Sequence, residues 1–453
     1  MPRLTHDRTT WLTYAQLGLW GFFLYGFGPV VPLLRDEQGT SAAVAGLHST
    51  AIAVGALLGG ALFAPLTRRI GRAGAIWAGL AGVAAGVTAF GLLRPLPATL
   101  AAVAAVATAG MIVVSGVAVV LTARHGPAAP AALTEANAVC AGMGILAPLV
   151  IGASVDAGFG WRPVMAVEVG LIALVALAAR LSRVRPPQAA PAAAAAADPV
   201  GATASAAVQA DDVFAPPSGR AGAGVTASAA EQADDAPAAR SGRDGESRSG
   251  AGANDRLPRA YWIAWVLMSV TGSIEVCLSL WTADVLRSHA GMTAASASAA
   301  VAAIVCGMFL GRLAGGRIAL RWPPAPLLLG ALTVSLAGFA LFWLAPVGWL
   351  AVTGLVVLGL GNALHYPLAI SIALAVAGPA ADKAAGWSAY SMGVGFGIAP
   401  VALGAVADGV GPHLAFLLLP GFIAAALLLT VRLGRALRAT PTDDDRAPAL
   451  VGA

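Results

Sequence analysis

In a chain of 453 residues, 58% hydrophobic side chains, 11% charged ones and a mean hydropathy of +0.79 exclude an ordinary soluble enzyme and leave a polytopic membrane protein. The formal net charge of +5 does not indicate nucleic acid, because the basic residues sit in short clusters between apolar stretches, where they act as topology signals. Lys383 is the only lysine among 27 basic residues, a bias that fits a GC-rich genome and points to a bacterium.

Arg3 and Arg8 precede an apolar stretch that has no small-residue cleavage site and is too long for a signal-peptide core, so the first span is expected to stay as an anchor. Twelve stretches are long enough to cross a bilayer as helices. The first six cover 11–34, 43–66, 73–93, 98–123, 133–155 and 161–181, and the second six cover 259–286, 293–320, 324–345, 348–376, 384–407 and 412–433. With the N-terminus inside, Arg68, Arg69, Arg72, Arg124, Arg317, Arg321 and Lys383 fall on the cytoplasmic side. Only Arg35, Arg94, Arg162 and Arg287 fall outside, and this asymmetry places both termini in the cytoplasm. Cys140, Cys277 and Cys306 each lie inside an apolar span without metal-site or disulfide spacing.

The expected organisation is a six-helix bundle over 1–182, a disordered linker over 183–257, a second bundle over 258–438 and a tail over 439–453. The linker is rich in Ala, Pro, Gly, Ser and Asp and cannot bury enough apolar surface to fold. It contains a duplication in which Thr203 to Asp212 recurs as Thr226 to Asp235, better explained by slippage in a GC-rich repeat than by function. A second repeat relates the two bundles at one offset of 252: Leu34 and Arg35 fall on Leu286 and Arg287, Gly55 on Gly307, and Gly59 on Gly311. At the same offset Pro148, Gly152 and Asp156 fall on Pro400, Gly404 and Asp408. Parallel repeats of this kind place a substrate site between them near the membrane midplane.

The loop after the second span reads Ala64-Pro-Leu-Thr-Arg-Arg-Ile-Gly-Arg-Ala73, which resembles the Gly-x-x-x-Asp-Arg-x-Gly-Arg-Arg signature of the major facilitator superfamily. Arg69, Gly71 and Arg72 match, while Arg68 stands where the family has Asp and Ala64 where it has Gly. The resemblance covers both six-span halves and implies an all-α fold of 12 transmembrane helices in two parallel six-helix repeats. By the same token Arg69, Gly71, Arg72, Arg312 and Arg317 become candidates for a gating loop at the cytoplasmic face. Ala147 to Gly152 resembles a degraded form of the family's antiporter motif, and Ala399 to Gly404 repeats it, which favours a packing role for Pro148, Gly152 and their counterparts. Glu275 with Trp281 in the seventh span is similar to fucose-type sugar:proton symporters, although the acidic residues those carry in the first and fourth spans are absent.

The seventh span carries Glu275 near its midpoint, an expensive place for a charge, with Thr271, Ser279 and Thr282 on the same helical stripe. Its carboxyl is either a helix-pinning group or a proton carrier that loads and releases a proton as water access alternates; the second reading is preferred, with His365 as runner-up. In the superfamily the first, fourth, seventh and tenth spans line the cavity, which implies substrate contacts at Gln16, Tyr25, Ser279, Trp281, Asn362 and Tyr366. Glu135 and Glu168 are expected to be structural partners of Arg124 and Arg162. No catalytic site, cofactor or metal is expected, and no Walker motif is present, so an ion gradient supplies the energy. The expected partners are a small-molecule substrate, protons and the bilayer around a monomer. Efflux of an amphipathic compound and uptake of a small polar solute both stay open, and a non-transporting membrane sensor is the remote alternative.

Overall fold

The computed structural model describes residues 6–125, 129–182, 257–319, 321–345, 347–377 and 381–438. The linker duplication and the acidic tail lie outside the described residues, as do the side chains of Arg317 and Lys383. Among the described residues every element is a helix, and 11 segments are long and apolar enough to cross a membrane. One of these, Ala42–Leu92, has Gly71 at φ 74° and ψ 168°, a left-handed geometry that only glycine adopts without strain. It therefore supplies the second and third spans on either side of a turn, giving twelve spans in all.

In chain order the first span is Arg8–Gln38, and the fourth to sixth are Leu96–His125, Ala129–Asp156 and Arg162–Leu181. The seventh is Arg259–His289, the ninth Pro324–Trp343 and the eleventh Ala381–Val410. The eighth, tenth and twelfth are each two helices in line: Ala294–Ala300 with Ala302–Ala319, Gly348–Asn362 with His365–Ala377, and Pro412–Ala415 with Leu418–Arg438. The break in the tenth has a direct cause. Pro367 has no N–H to give the Ala363 carbonyl, and its ring crowds the turn that contains it.

The repeat at offset 252 reappears atom by atom. Ser41 caps the second span through the Val44 amide, and Thr293 caps the eighth through the Ser296 amide. A side chain on Gly55 or Gly59 would run into the backbone carbonyls of Ala104 or Thr108; one on Gly307 or Gly311 would run into those of Val356 or Leu360. Each pair is displaced by the same offset, so the small-residue seam between the second and fourth spans is rebuilt between the eighth and tenth. Such seams bring backbones close enough for dense packing where lipid offers no hydrophobic drive for association.

The halves meet along the first and seventh spans, the second and eleventh, and the fifth and eighth. Their tightest approaches lie at the distal face, the end of the bundle opposite the starts of the first and seventh spans. There Gly28 sits against the Ser279 carbonyl, Gly46 against Pro400, Gly404 against Ala42, and Gly152 against Ala295. Ser49 and Thr50 donate to the Phe396 and Gly397 carbonyls, both at 2.6 Å. The Asp408 carboxylate accepts from the Ala42 and Ala43 amides at 2.6 and 3.0 Å, a favourable place for an anion at a helix N-terminus. Arg35 donates to both oxygens of Asp284, at 2.5 and 2.9 Å, and Arg287 reaches Asp36 at 2.7 Å. Gly28→Val should wedge this seal open: a single cysteine at Leu280, in a background with Cys140, Cys277 and Cys306 replaced by serine, should react about tenfold faster with an impermeant maleimide added on the distal side. An unchanged rate would show that the seal tolerates the added bulk.

Two expected ion pairs are replaced by others. Arg162 pairs with Glu37 and also donates to the Gly91 carbonyl, while Arg124 pairs with Asp7. Glu135 takes His6 at 2.6 Å and Tyr14 at 3.2 Å. Glu168 is fully buried, and its carboxyl has no hydrogen-bond partner among the described residues. Helical direction explains the exchange: Arg162 sits at the start of its span and reaches the neighbouring loop more easily than a carboxyl nearly two turns further along.

Candidate functional site

Below the distal seal the halves part around a cavity of about 390 Å³. The first, second, fourth and fifth spans supply one wall, largely apolar, with Trp20, Ile52, Met111 and Val114 among its residues. The seventh, eighth, tenth and eleventh supply the other, which carries Glu275, Arg312, Asn362 and Tyr366. Glu275 and Arg312 are the charged residues among those lining it. A second chamber of about 70 Å³ lies on the distal side and shares Tyr25, Glu275 and Phe396 with the first. Glu275 thus stands at the junction of the two chambers, with Ser279 one turn further along the same helix lining only the distal one.

Arg312 ties the junction together. It lines the same cavity as Glu275 and Tyr25, and its charge acts electrostatically on both, so one cation from the C-terminal half faces an acid of its own half and a phenol of the other. Tyr25 is placed by Gly144 in the fifth span, where any side chain would overlap the aromatic ring. Asn362 is buried and donates to the Met308 sulfur at 3.8 Å, directing its amide toward the eighth span.

The remaining sequence candidates lie elsewhere. His365 is 1% exposed, points to Ser335 of the ninth span at 3.0 Å and does not line the cavity. Trp281 is buried away from the cavity, its indole N–H without a partner among the described residues, and Gln16 is buried in the first span without reaching the lining. Arg69 and Arg72 are exposed on either side of the Gly71 turn. Arg312, grouped with these as part of a gating loop, lines the cavity: Gly311 packs on Leu360, and the next position of the helix turns inward. Sequence reasoning also missed the fifth-span contribution of Asn137 and Cys140, since only the first, fourth, seventh and tenth spans were expected to face the solute. No group of three or more His, Cys, Asp or Glu side chains able to hold a metal occurs among the described residues.

The Major Facilitator Superfamily model matches residues 17–384, and matches again over 278–451. The chain belongs to this superfamily. Its members are membrane transporters, and this chain is accordingly a multi-pass membrane protein with the superfamily's paired six-helix bundles. Solved structures share the fold at low identity. The nucleoside transporter NupG is similar at 13% identity and a TM-score of 0.65, covering 95% of this chain and 98% of that one. A bacterial homologue of the human lysosomal transporter Spinster, in an inward-facing and unoccupied conformation, is similar at 14% identity and a TM-score of 0.66, covering 96% and 100%. The E. coli fucose:proton symporter FucP is similar at 17% identity and a TM-score of 0.55, covering 94% and 98%. No curated protein matches the chain in sequence.

Proposed function

We propose that this superfamily member is a proton-coupled secondary active transporter that carries a small organic solute through the cavity between its halves by alternating access. The observation that carries this reading is the position of Glu275, a lone carboxylate on the cavity wall at the junction of the two chambers. An acid placed there exchanges protons with whichever side the rocking of the halves opens to water. A volume of about 390 Å³ suits a drug-sized or smaller solute.

The tight packing at the distal face and the open lining below it describe one of the two end states. With the termini in the cytoplasm, as the distribution of arginines implies, this is the state open to the cell interior. The bundles over 1–182 and 258–438 are then the two rocking bodies, with Arg69, Gly71 and Arg72 at the cytoplasmic turn between the second and third spans of the first. Transport in membrane vesicles of both orientations, driven by an imposed pH difference against a panel of organic acids, sugars, nucleosides and lipophilic cations, tests the reading. Accumulation of one class that collapses with a protonophore is expected, and accumulation indifferent to the pH difference would refute proton coupling.

A further inference from the structure

Beyond proton coupling, the cavity's two halves differ in a way that restricts the chemistry of the solute. At the offset of 252, the residues equivalent to Glu275, Arg312, Asn362 and Tyr366 are Phe23, Gly60, Gly110 and Val114. Each of these four polar residues is thus matched by an apolar or absent side chain in the other half. A ligand seated between them meets the charges from the C-terminal half only, while the N-terminal half adds Tyr25 and Asn137 to a lining otherwise made of apolar residues such as Trp20, Met111 and Val114. Such a solute has one polar head and an apolar body.

The charge of that head follows from Arg312. With Glu275 ionised, the Glu275 and Arg312 charges offset each other; once Glu275 takes a proton, the guanidinium is left as the charge of the cavity wall. Arginine cannot lose its own proton, and its planar fork matches a carboxylate in two-point geometry. A cationic head would be repelled in the protonated state, and a neutral head would gain nothing from the change. From this geometry we infer that the solute is a monocarboxylate with an apolar body, bound by Arg312 and Tyr25 at its head and by the N-terminal half along its length. The order of events is set by the same pair. A proton reaches Glu275, its charge no longer offsets that of Arg312, and the solute carboxylate takes over that role, so that one proton and one anion cross together without net charge. This inference rests on the proposed role of Glu275, but the head-group preference is measurable without transport.

Purified protein in nanodiscs is titrated with phenylacetate and, separately, with its neutral isostere phenylacetamide, following the intrinsic tryptophan fluorescence to which Trp20 contributes. The carboxylate is expected to bind about tenfold more tightly or better, as a charge-assisted hydrogen-bonded pair provides. Arg312→Gln should bring the ratio to about one. Arg312→Lys, which keeps the charge and guards against a folding artefact in the glutamine variant, should keep part of it. Equal binding of acid and amide by the wild type, or a ratio that survives Arg312→Gln, overturns the inference. Binding of phenylalanine in preference to phenylacetate, abolished by Glu275→Gln, would assign a zwitterionic head and overturn it equally. Proton uptake on phenylacetate binding, read with a dye in weak buffer, separates the two layers: a tight carboxylate that brings no proton refutes the role of Glu275 and leaves the head-group assignment standing.

Discussion

Replacing Arg35 and Arg287 together by alanine is expected to open the distal face and make the outward-open state the dominant one. The two arginines occupy equivalent positions of the two repeats and hold Asp284 and Asp36 in a four-membered chain of charges across the seam, since Arg35 also reaches Asp36 at 3.1 Å. Arg35 is 18% exposed and Asp284 5%, so the pair between them is shielded from salt and water. Removing one partner of such a pair costs about 3 kcal/mol, because a carboxylate is left in place without its cation. A change of that size shifts the ratio of closed to open states by roughly a hundredfold. Spin labels at Thr40 and Ala290 should report it as a short distance giving way to a longer one. A distance distribution identical to that of the wild type would show that the glycine contacts alone hold the seal. Arg35→Lys should fall between the two, since an ammonium keeps the attraction but not the two-point geometry.

Glu275→Gln is expected to abolish gradient-driven accumulation while leaving solute binding and downhill exchange in place. The amide keeps the shape of the side chain and much of its hydrogen bonding but does not titrate, so it cannot load and release a proton. A pH difference of one unit can sustain at most about tenfold accumulation per coupled proton, and the mutant should level at about one. Measuring the steady-state ratio in vesicles, with and without a protonophore, checks this; a mutant that still concentrates solute would assign Glu275 to helix packing. Glu275→Leu should behave differently. It also takes the carboxylate away from Arg312, so folded yield as well as transport should fall.

Most of this architecture is written in periodicity and spacing. The apolar run lengths give the spans, and a constant offset of 252 finds the glycine seams that the structure shows between the second and fourth and between the eighth and tenth spans. Where candidate residues fall outside the cavity lining, helix rotation is the cause. Gln16 and Tyr25 are nine positions apart, about half a turn out of phase at roughly 100° per residue, so one straight helix cannot aim both at the same cavity. Trp281 is six positions from Glu275 and roughly 120° away around the axis, whereas Ser279 follows one turn on and does reach the lining. The break before His365 also changes the phase, because a helix interrupted near a proline does not carry its rotation across the gap. It turns His365 to the ninth span while Tyr366 faces the cavity.

The resemblance groups Arg312 with the basic residues of the cytoplasmic face, whereas its depth in the helix puts it on the cavity wall. Counting from the end of the helix would have placed it well inside. The distal latch was legible only in part. Arg35 and Arg287 stood out as a repeated pair, but Asp284 and Asp36 are not related by the offset, so the crossed pairing needs the two halves placed side by side.

The most direct measurement of the central claim is proton movement coupled to solute movement in proteoliposomes. With the panel solute that accumulates, the wild type should show alkalinisation of a weakly buffered exterior on solute addition, stoichiometric with uptake and abolished by a protonophore. Glu275→Gln, at equal reconstitution and with solute binding retained, should show none. Proton movement in the variant equal to that in the wild type would contradict the account, since the cavity would then move protons without the carboxylate on which the mechanism depends.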